Sequence, residues 1–267
     1  MKMSEDSHIT FNQSNRTKKK GLIMNTSQTL EKLAEMRLLG MKQAYSLYLG
    51  ASASGKITND EFIANLTEAE YIDRENRKTT RLLKSAKFRY QASIEEIDFK
   101  TGRNLDKGEL LRLSGCDFVK KKENLIITGP TGAGKSYIAS ALGHQACVTG
   151  YKVQYYNINK LFTRIKMLKA DGSEAREILK IEKLDLLVLD DFGLQQLDTE
   201  NRMLLLEIIE DRHGKKSTRI TSQLPVARWH ELIGDSTIAD AILDRIIHSA
   251  KRIELKGGSM RKKKISA

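Results

Sequence analysis

Cysteine is nearly absent: Cys116 and Cys147 are the two in 267 residues. They are too few and too far apart for a metal knuckle or a disulfide framework, so both are expected to be free and reduced. The five histidines (His8, His144, His213, His230, His248) show no metal-ligand spacing and read as structural or exposed. No apolar run approaches the roughly 18–20 residues needed to span a bilayer, and the N-terminus lacks the apolar core of a secretory signal. No membrane partner is expected, and the expected location is cytoplasmic.

What the chain has in excess is positive charge. Forty-six Lys and Arg face thirty-four Asp and Glu, a formal +12. That surplus suits an anionic macromolecule better than a neutral metabolite, with a merely basic soluble protein as the alternative. The length admits one large or two modest domains, and two are expected.

The chemistry centres on Leu125-Ile126-Ile127-Thr128, a strand-favouring run, followed by Gly129-Pro130-Thr131-Gly132-Ala133-Gly134-Lys135-Ser136. This fills every fixed position of G-x-x-x-x-G-K-S. The loop must curl so that its backbone N–H groups point at a phosphate, which glycines permit. Lys135 is expected to reach the β- and γ-phosphates of ATP, Ser136 to offer its hydroxyl to Mg²⁺, and the following helix to add its positive N-terminal end. A second apolar strand, Leu186-Leu187-Val188-Leu189, ends in Asp190-Asp191. Asp190 is read as the Mg²⁺-holding acid of a Walker B strand and Asp191 as the acid that polarises the attacking water. Asp191 is a methylene shorter than the glutamate usual there. Asp191-Phe192-Gly193 mimics a kinase triplet, but H-R-D-x-x-x-x-N and V-A-I-K are missing.

Strands are expected at 125–128, 153–156, 186–190, 217–221 and 251–255, with helices at 135–149, 158–169, 174–183, 199–212 and 226–248. This alternation predicts an α/β fold with a five-stranded parallel sheet covered on both faces. Gln223, at the end of the fourth strand, is a candidate γ-phosphate sensor or an ordinary polar strand end. Arg219 sits inside that strand, where an unpaired charge is costly. It is paired, lies toward an exposed start, or weakens the site.

Ahead of this core, residues 1–24 carry Lys18-Lys19-Lys20 and no periodic apolar pattern, so a disordered basic extension is expected. Residues 25–90 are expected to form a small all-α domain. It begins with an amphipathic helix over 29–49 that is bent at Gly40, followed by a loop at 51–55 and a second helix from Glu61 to about Lys87. Arg74, Arg77, Lys78, Arg81 and Lys84 make a basic stripe on the second helix, read either as a solvated face or as a contact to double-stranded DNA that gives affinity without reading sequence. The ATPase domain is assigned to 91–260, with a lead-in holding the turn 100–103 and a short helix at 109–113. A basic tail follows at 261–267.

Several blocks together resemble one family. They are Ala86-Lys87-Phe88, the phosphate loop, Asp190-Asp191-Phe192-Gly193-Leu194, Thr221-Ser222-Gln223-Leu224-Pro225, Trp229-His230-Glu231-Leu232-Ile233-Gly234-Asp235, Ala239-Asp240-Ala241-Ile242-Leu243-Asp244-Arg245 and Gly258-Ser259-Met260-Arg261. From about Leu30 to Lys264 the chain is similar to the AAA+ helper ATPases of insertion-sequence transposition, the IstB type, related to DnaC-type helicase loaders. The resemblance implies an AAA+ core, an N-terminal helical domain that helps bind DNA, ATP-driven homo-oligomerisation on DNA, and a transposase partner. It also makes Arg245 an arginine finger acting in trans, against the alternative of a surface arginine paired with Asp244 or Asp240. A helicase loader and a P-loop enzyme acting on a small metabolite are the competing functions.

Overall fold

The computed structural model describes residues 25–50, 57–99 and 102–260. The expected extension 1–24, the loop 51–55, Lys100 and Thr101 of the expected turn, and the tail 261–267 lie outside the described residues. The chain divides into two compact units, Met1–Arg74 and Glu75–Ala267. The sequence places its boundary later, at 90/91. Leu82, Leu83 and Ala86 account for the difference, because they belong to the apolar core of the second unit.

In the first unit, α1 (Thr26–Glu35) opens on a capping box: the Asn25 side chain accepts from Gln28 N at 2.8 Å, and Gln28 Oε1 accepts from Asn25 N at 3.3 Å. The expected single helix over 29–49 is two helices, and the break is not at Gly40. Arg37 adopts a left-handed conformation (φ 58°), and α2 (Leu39–Gly50) starts afresh two residues later. Gly40 instead serves close packing, because a Cβ there collides with the Ala69 carbonyl of α3 (Asn59–Ala86). Glu70 of α3 caps α2, accepting from Gly40 N (2.9 Å) and Met41 N (3.3 Å), two donors that a first helical turn leaves without partners. Arg74 Nε donates to the other oxygen of Glu70 at 2.7 Å. The start of α3 is itself boxed by Thr58 and Glu61.

In the second unit, two helices precede the sheet, α4 (Lys107–Ser114) and the short α5 (Asp117–Lys120), the latter absent from the sequence reading. Then follow β1 (Asn124–Thr128), α6 (Lys135–Val148), β2 (Val153–Asn157), α7 (Ile158–Ala170), α8 (Glu174–Glu182), β3 (Leu186–Phe192), α9 (Thr199–Arg212) and β4 (Ser217–Ser222). The chain ends its sheet with α10 (Trp229–Ile233), α11 (Ser236–Ile247) and β5 (Ala250–Glu254). The expected continuous helix over 226–248 is broken. Val226–Arg228 is a 3₁₀ turn, Gly234 (φ 79°) stops α10, and the Asp235 side chain caps α11 by accepting from Ile238 N at 3.0 Å.

All five strands are parallel, in the order β2-β3-β4-β1-β5. Successive strand residues feed opposite faces, so Leu186 and Val188 join one apolar cluster with α6 while Leu187 and Leu189 join the other with α7, α8, α9 and α11. This double coverage explains why β1 and β3 read as unbroken apolar runs.

Arg219 is fully buried on the α6 face, opposite Leu125 and Val188. Its Nη1 donates to the Ala139 carbonyl (2.7 Å) and its guanidinium lies 5.4 Å from the Phe118 ring, while Nε and Nη2 have no hydrogen-bond partner. Of the three readings offered by sequence, it is paired, but with a carbonyl and a ring rather than a carboxylate. Burial lowers its pKa to about 10. Arg212 is also buried, yet bonds through every nitrogen, to the carbonyls of Ile181, Leu184 and Ser217 and to the Thr218 hydroxyl.

Candidate nucleotide-binding site

The parallel sheet gathers its strand ends at one edge, and β1, β3 and β4 deliver the candidate residues there. Gly129 takes φ 144°, and a Cβ on it would lie 2.5 Å from the Leu255 carbonyl, so only glycine lets the chain leave β1 in this direction. The loop is gripped from two sides: Met260 N donates to Gly132 O (2.9 Å), and Arg103, buried, donates to Ala133 O (3.2 Å) and Asp98 O (2.6 Å). Pro130 and Thr131 form its crown, and Gly134 opens α6. Lys135 Nζ donates to the Gly129 (2.7 Å) and Pro130 (2.9 Å) carbonyls, which holds the ammonium within the loop.

Asp190 is wholly buried at the end of β3. Its Oδ1 accepts from Ser136 Oγ at 2.9 Å and from the Thr221 hydroxyl of β4, and its Oδ2 accepts from the Tyr155 hydroxyl of β2. Burial, and then the adjacent carboxylate, push the Tyr155 phenol well above its usual range, so it stays a donor. In a regular strand Asp191 would face away from Asp190. It does not, because Asp191 takes a left-handed conformation (φ 61°) at an irregularity in the β3–β4 pairing. Its carboxylate accepts from Asn157 Nδ2 (3.0 Å) and Arg89 Nη1 (3.0 Å), and the same Arg89 nitrogen lies 3.3 Å from Asp190 Oδ2. Gln223 Oε1 accepts from Thr131 Oγ1 at 2.6 Å, which sets the candidate sensor against the phosphate loop.

A cavity of about 730 Å³ opens from the loop, with Tyr90, Ile97, Tyr137 and Met260 among its lining residues. Tyr137 donates to Glu96 Oε2 at 2.7 Å, and burial together with that carboxylate raises its pKa to about 12.

Ser136 and Asp190 present only hydroxyl and carboxylate oxygens, the donors a hard cation takes. No cluster of three or more His, Cys, Asp or Glu that could hold a metal is found among the described residues. One carboxylate plus one hydroxyl fits Mg²⁺, which keeps several waters and completes its shell with substrate phosphates.

Arg245 is elsewhere. Asn124 Nδ2, at the start of β1, donates to its carbonyl (3.2 Å), while its guanidinium donates to Glu210 Oε1 (3.0 Å) and Ala241 O (2.9 Å). Neither Asp244 nor Asp240 is its partner, and Asp240 lies 3.4 Å from His230. Five residues of β1, about 16 Å at ~3.3 Å each, separate that end from the chain's own loop. In the basic stripe, Arg74 is engaged by Glu70 and Lys78 by Glu75 (3.3 Å), Arg77 is half-buried, and Arg81 and Lys84 are exposed.

The profile of the IstB-like ATP binding protein family matches residues 31–267. The chain belongs to that family. The insertion-sequence ATP-binding protein y4pL of Sinorhizobium fredii is 44% identical over 234 residues, spanning 88% of this chain and 96% of its own. The ATP-binding protein of insertion sequence IS1162 from Pseudomonas fluorescens is 40% identical over 203 residues, 76% of this chain and 88% of its own. Among solved structures, DnaI (TM-score 0.54, 21% identity, 66% of this chain and 93% of that one) and the DnaC helicase loader (0.52, 22%, 62% and 98%) share the fold. This IstB-like chain therefore has the expected AAA+ core, with N-terminal helices before it. No helix among its described residues is long and apolar enough to cross a membrane.

The sequence reading missed Arg89, Arg103, Tyr155, Asn157 and Thr221. Tyr155, Asn157 and Thr221 lie on or at the ends of strands flanking β3, so a phenol, an amide and a hydroxyl on neighbours of the Walker B strand were a usable signal. Arg89 and Arg103 lack one, because long-range packing alone brings them to the loop and the acid pair.

Proposed function

We propose that this IstB-like protein hydrolyses ATP with Mg²⁺ and uses the cycle to assist a transposase on duplex DNA, in the cytoplasm, as a homo-oligomer. The observation that carries the reading is the convergence of Ser136, Thr221 and Tyr155 on the buried Asp190 carboxylate beside the phosphate loop. Residues 129–136 cradle the triphosphate, and Lys135 neutralises its β- and γ-oxygens. Ser136 and Asp190 hold Mg²⁺, which supplies charge neutralisation at the transferring phosphoryl group. Asp191, steadied by Asn157, orients the attacking water, and Gln223 reports the γ-phosphate to the loop through Thr131. The insertion-sequence relatives at 40% identity and above support the transposition role. The likeness to DnaI and DnaC speaks for the fold alone.

The DNA-binding work is assigned to the helical segment 25–90, with Arg81 and Lys84 as its exposed phosphate contacts, and the ATPase work to 91–260. Arg245, a strand length from its own loop, acts on a neighbouring subunit's site. The test is ATP turnover with and without duplex DNA, joined to co-purification with an insertion-sequence transposase or, alternatively, with a replicative helicase. Turnover raised by DNA and capture of the transposase support the reading. Capture of the helicase alone replaces it with a loader.

A further inference from the structure

The functional reading leaves Arg89 without a role, although it touches both acids of the site. Its placement is built, not incidental. Lys87 takes a left-handed conformation (φ 54°) that ends α3, and the Phe88 ring packs on Gly143 of α6, where a Cβ would lie 2.5 Å from the ring. Phe88 also stands edge-on to Tyr155 at 6.4 Å. With residues 87 and 88 pinned, Arg89 Nη1 lands 3.0 Å from Asp191 Oδ2 and 3.3 Å from Asp190 Oδ2, with its guanidinium 5.6 Å from the Tyr90 ring.

The two oxygens of Asp190 thus face two different things. Oδ1 looks to Ser136 and Thr221, while Oδ2 carries the Arg89 charge and the Tyr155 hydroxyl. A divalent cation held by Ser136 and Asp190 would sit within a few ångströms of a guanidinium that is always protonated, and like charges at that range repel strongly away from bulk water. The Arg89 side chain is 41% exposed and lines the same cavity as the phosphate loop, so it has room to leave the acids. A triphosphate in that cavity offers pairs of oxygens that the planar guanidinium fork can bind two at a time.

We propose that Arg89 is the resident counter-cation of the Asp190–Asp191 pair. It holds both carboxylates in place, excludes a divalent cation from them in the absence of nucleotide, and turns to the phosphate oxygens when Mg²⁺ arrives with ATP. Metal and nucleotide therefore load together. Arg89 is a positioning residue for the metal site, and this proposal rests on the Mg²⁺-nucleotide reading above.

The experiment measures Mn²⁺ binding to the full chain without nucleotide, by the loss of the free-ion paramagnetic resonance signal, in the wild type, Arg89→Gln and Arg89→Lys. Arg89→Gln should bind Mn²⁺ at least about tenfold more tightly than wild type, because the repelling charge is gone. Arg89→Lys, which keeps the charge, should stay within about threefold of wild type. In EDTA, ATP should bind Arg89→Gln several-fold more weakly than wild type, since a phosphate partner is lost. A merely structural arginine would lower thermal stability in both variants and leave metal affinity unchanged or weaker. Equal or weaker nucleotide-free Mn²⁺ binding in a folded Arg89→Gln protein overturns the proposal. Wild-type protein that binds Mn²⁺·ATP no better than Asp190→Asn does overturns instead the reading it rests on.

Discussion

Among the described residues of the first unit only Gly40 and Glu70 are buried, whereas the second buries every residue of β1 and all but one of β3. The first is fastened by a carboxylate on two helix-end N–H groups and by a close approach that only glycine permits. The second is fastened by two apolar clusters on a doubly covered sheet. A small unit cannot bury enough apolar surface to hold itself by that means alone, so a single polar contact takes a large share of its stability. A large sheet can afford to point polar groups at one edge, and that edge is where the candidate chemistry lies.

The sharpest test of this contrast pairs one substitution from each region. Lys135→Ala should lower ATP turnover by at least about 10²–10³-fold, the scale for removing one preorganised charge-stabilising donor, with circular dichroism unchanged. Gly40→Leu should abolish amide-exchange protection in α1 and α2, because the Ala69 carbonyl blocks the side chain, while the amides of β1 and β3 stay protected. Loss of protection in β1 with Gly40→Leu would break the contrast.

Glu70 sets the next effect. Burial works to raise its pKa, but the Arg74 guanidinium and the Met41 and Gly40 N–H groups outweigh burial and hold it below 4.5. A carboxyl whose folded pKa is depressed stabilises the fold above its unfolded pKa, and that stability is lost as pH falls through the folded value. The first unit should therefore loosen below about pH 4.5 in the wild type, and Glu70→Gln should remove that pH dependence. At neutral pH the same variant should cost about 1–3 kcal/mol, the scale for buried donors left without a charged acceptor. Amide exchange of α2 against pH checks both.

Within the second unit, Arg219 and Arg212 sharpen the rule that a buried cation is tolerated when its donors are met. Arg219→Met removes two unpartnered nitrogens while keeping most of the apolar volume beside Phe118, so melting should rise by about 2–4 °C, roughly 1 kcal/mol for a domain of this size. Arg212→Met strands three carbonyls and should lower it. The smallest effect is expected on the exposed stripe. Arg81→Ala with Lys84→Ala should flatten the slope of log K for duplex DNA against log[salt] by up to about 1.8, at ~0.9 per lost phosphate contact. Adding Arg74→Ala should change stability more than slope, since Arg74 serves Glu70.

The sequence by itself determined the phosphate loop, the Walker B strand, the five strands to within two residues at either end, and the doubly covered parallel sheet. These are legible because a fixed glycine spacing and unbroken apolar runs are local consequences of backbone geometry and burial on both faces. Gln223 was singled out from its place at a strand end, but its bond to Thr131 was not legible there. Only the tertiary structure decided what depends on contacts between distant residues. It moved the break in the first helix from Gly40 to Arg37, because a glycine's packing partner in α3 is invisible along the chain. It split 226–248 at Gly234, where one left-handed residue outweighs a continuous apolar pattern. It turned Asp191 to the side of Asp190 through a strand irregularity, although period-two alternation would have sent them apart. It also brought Arg89 across 101 positions of sequence to the acid pair, a meeting set by where Phe88 packs rather than by any pattern along the chain.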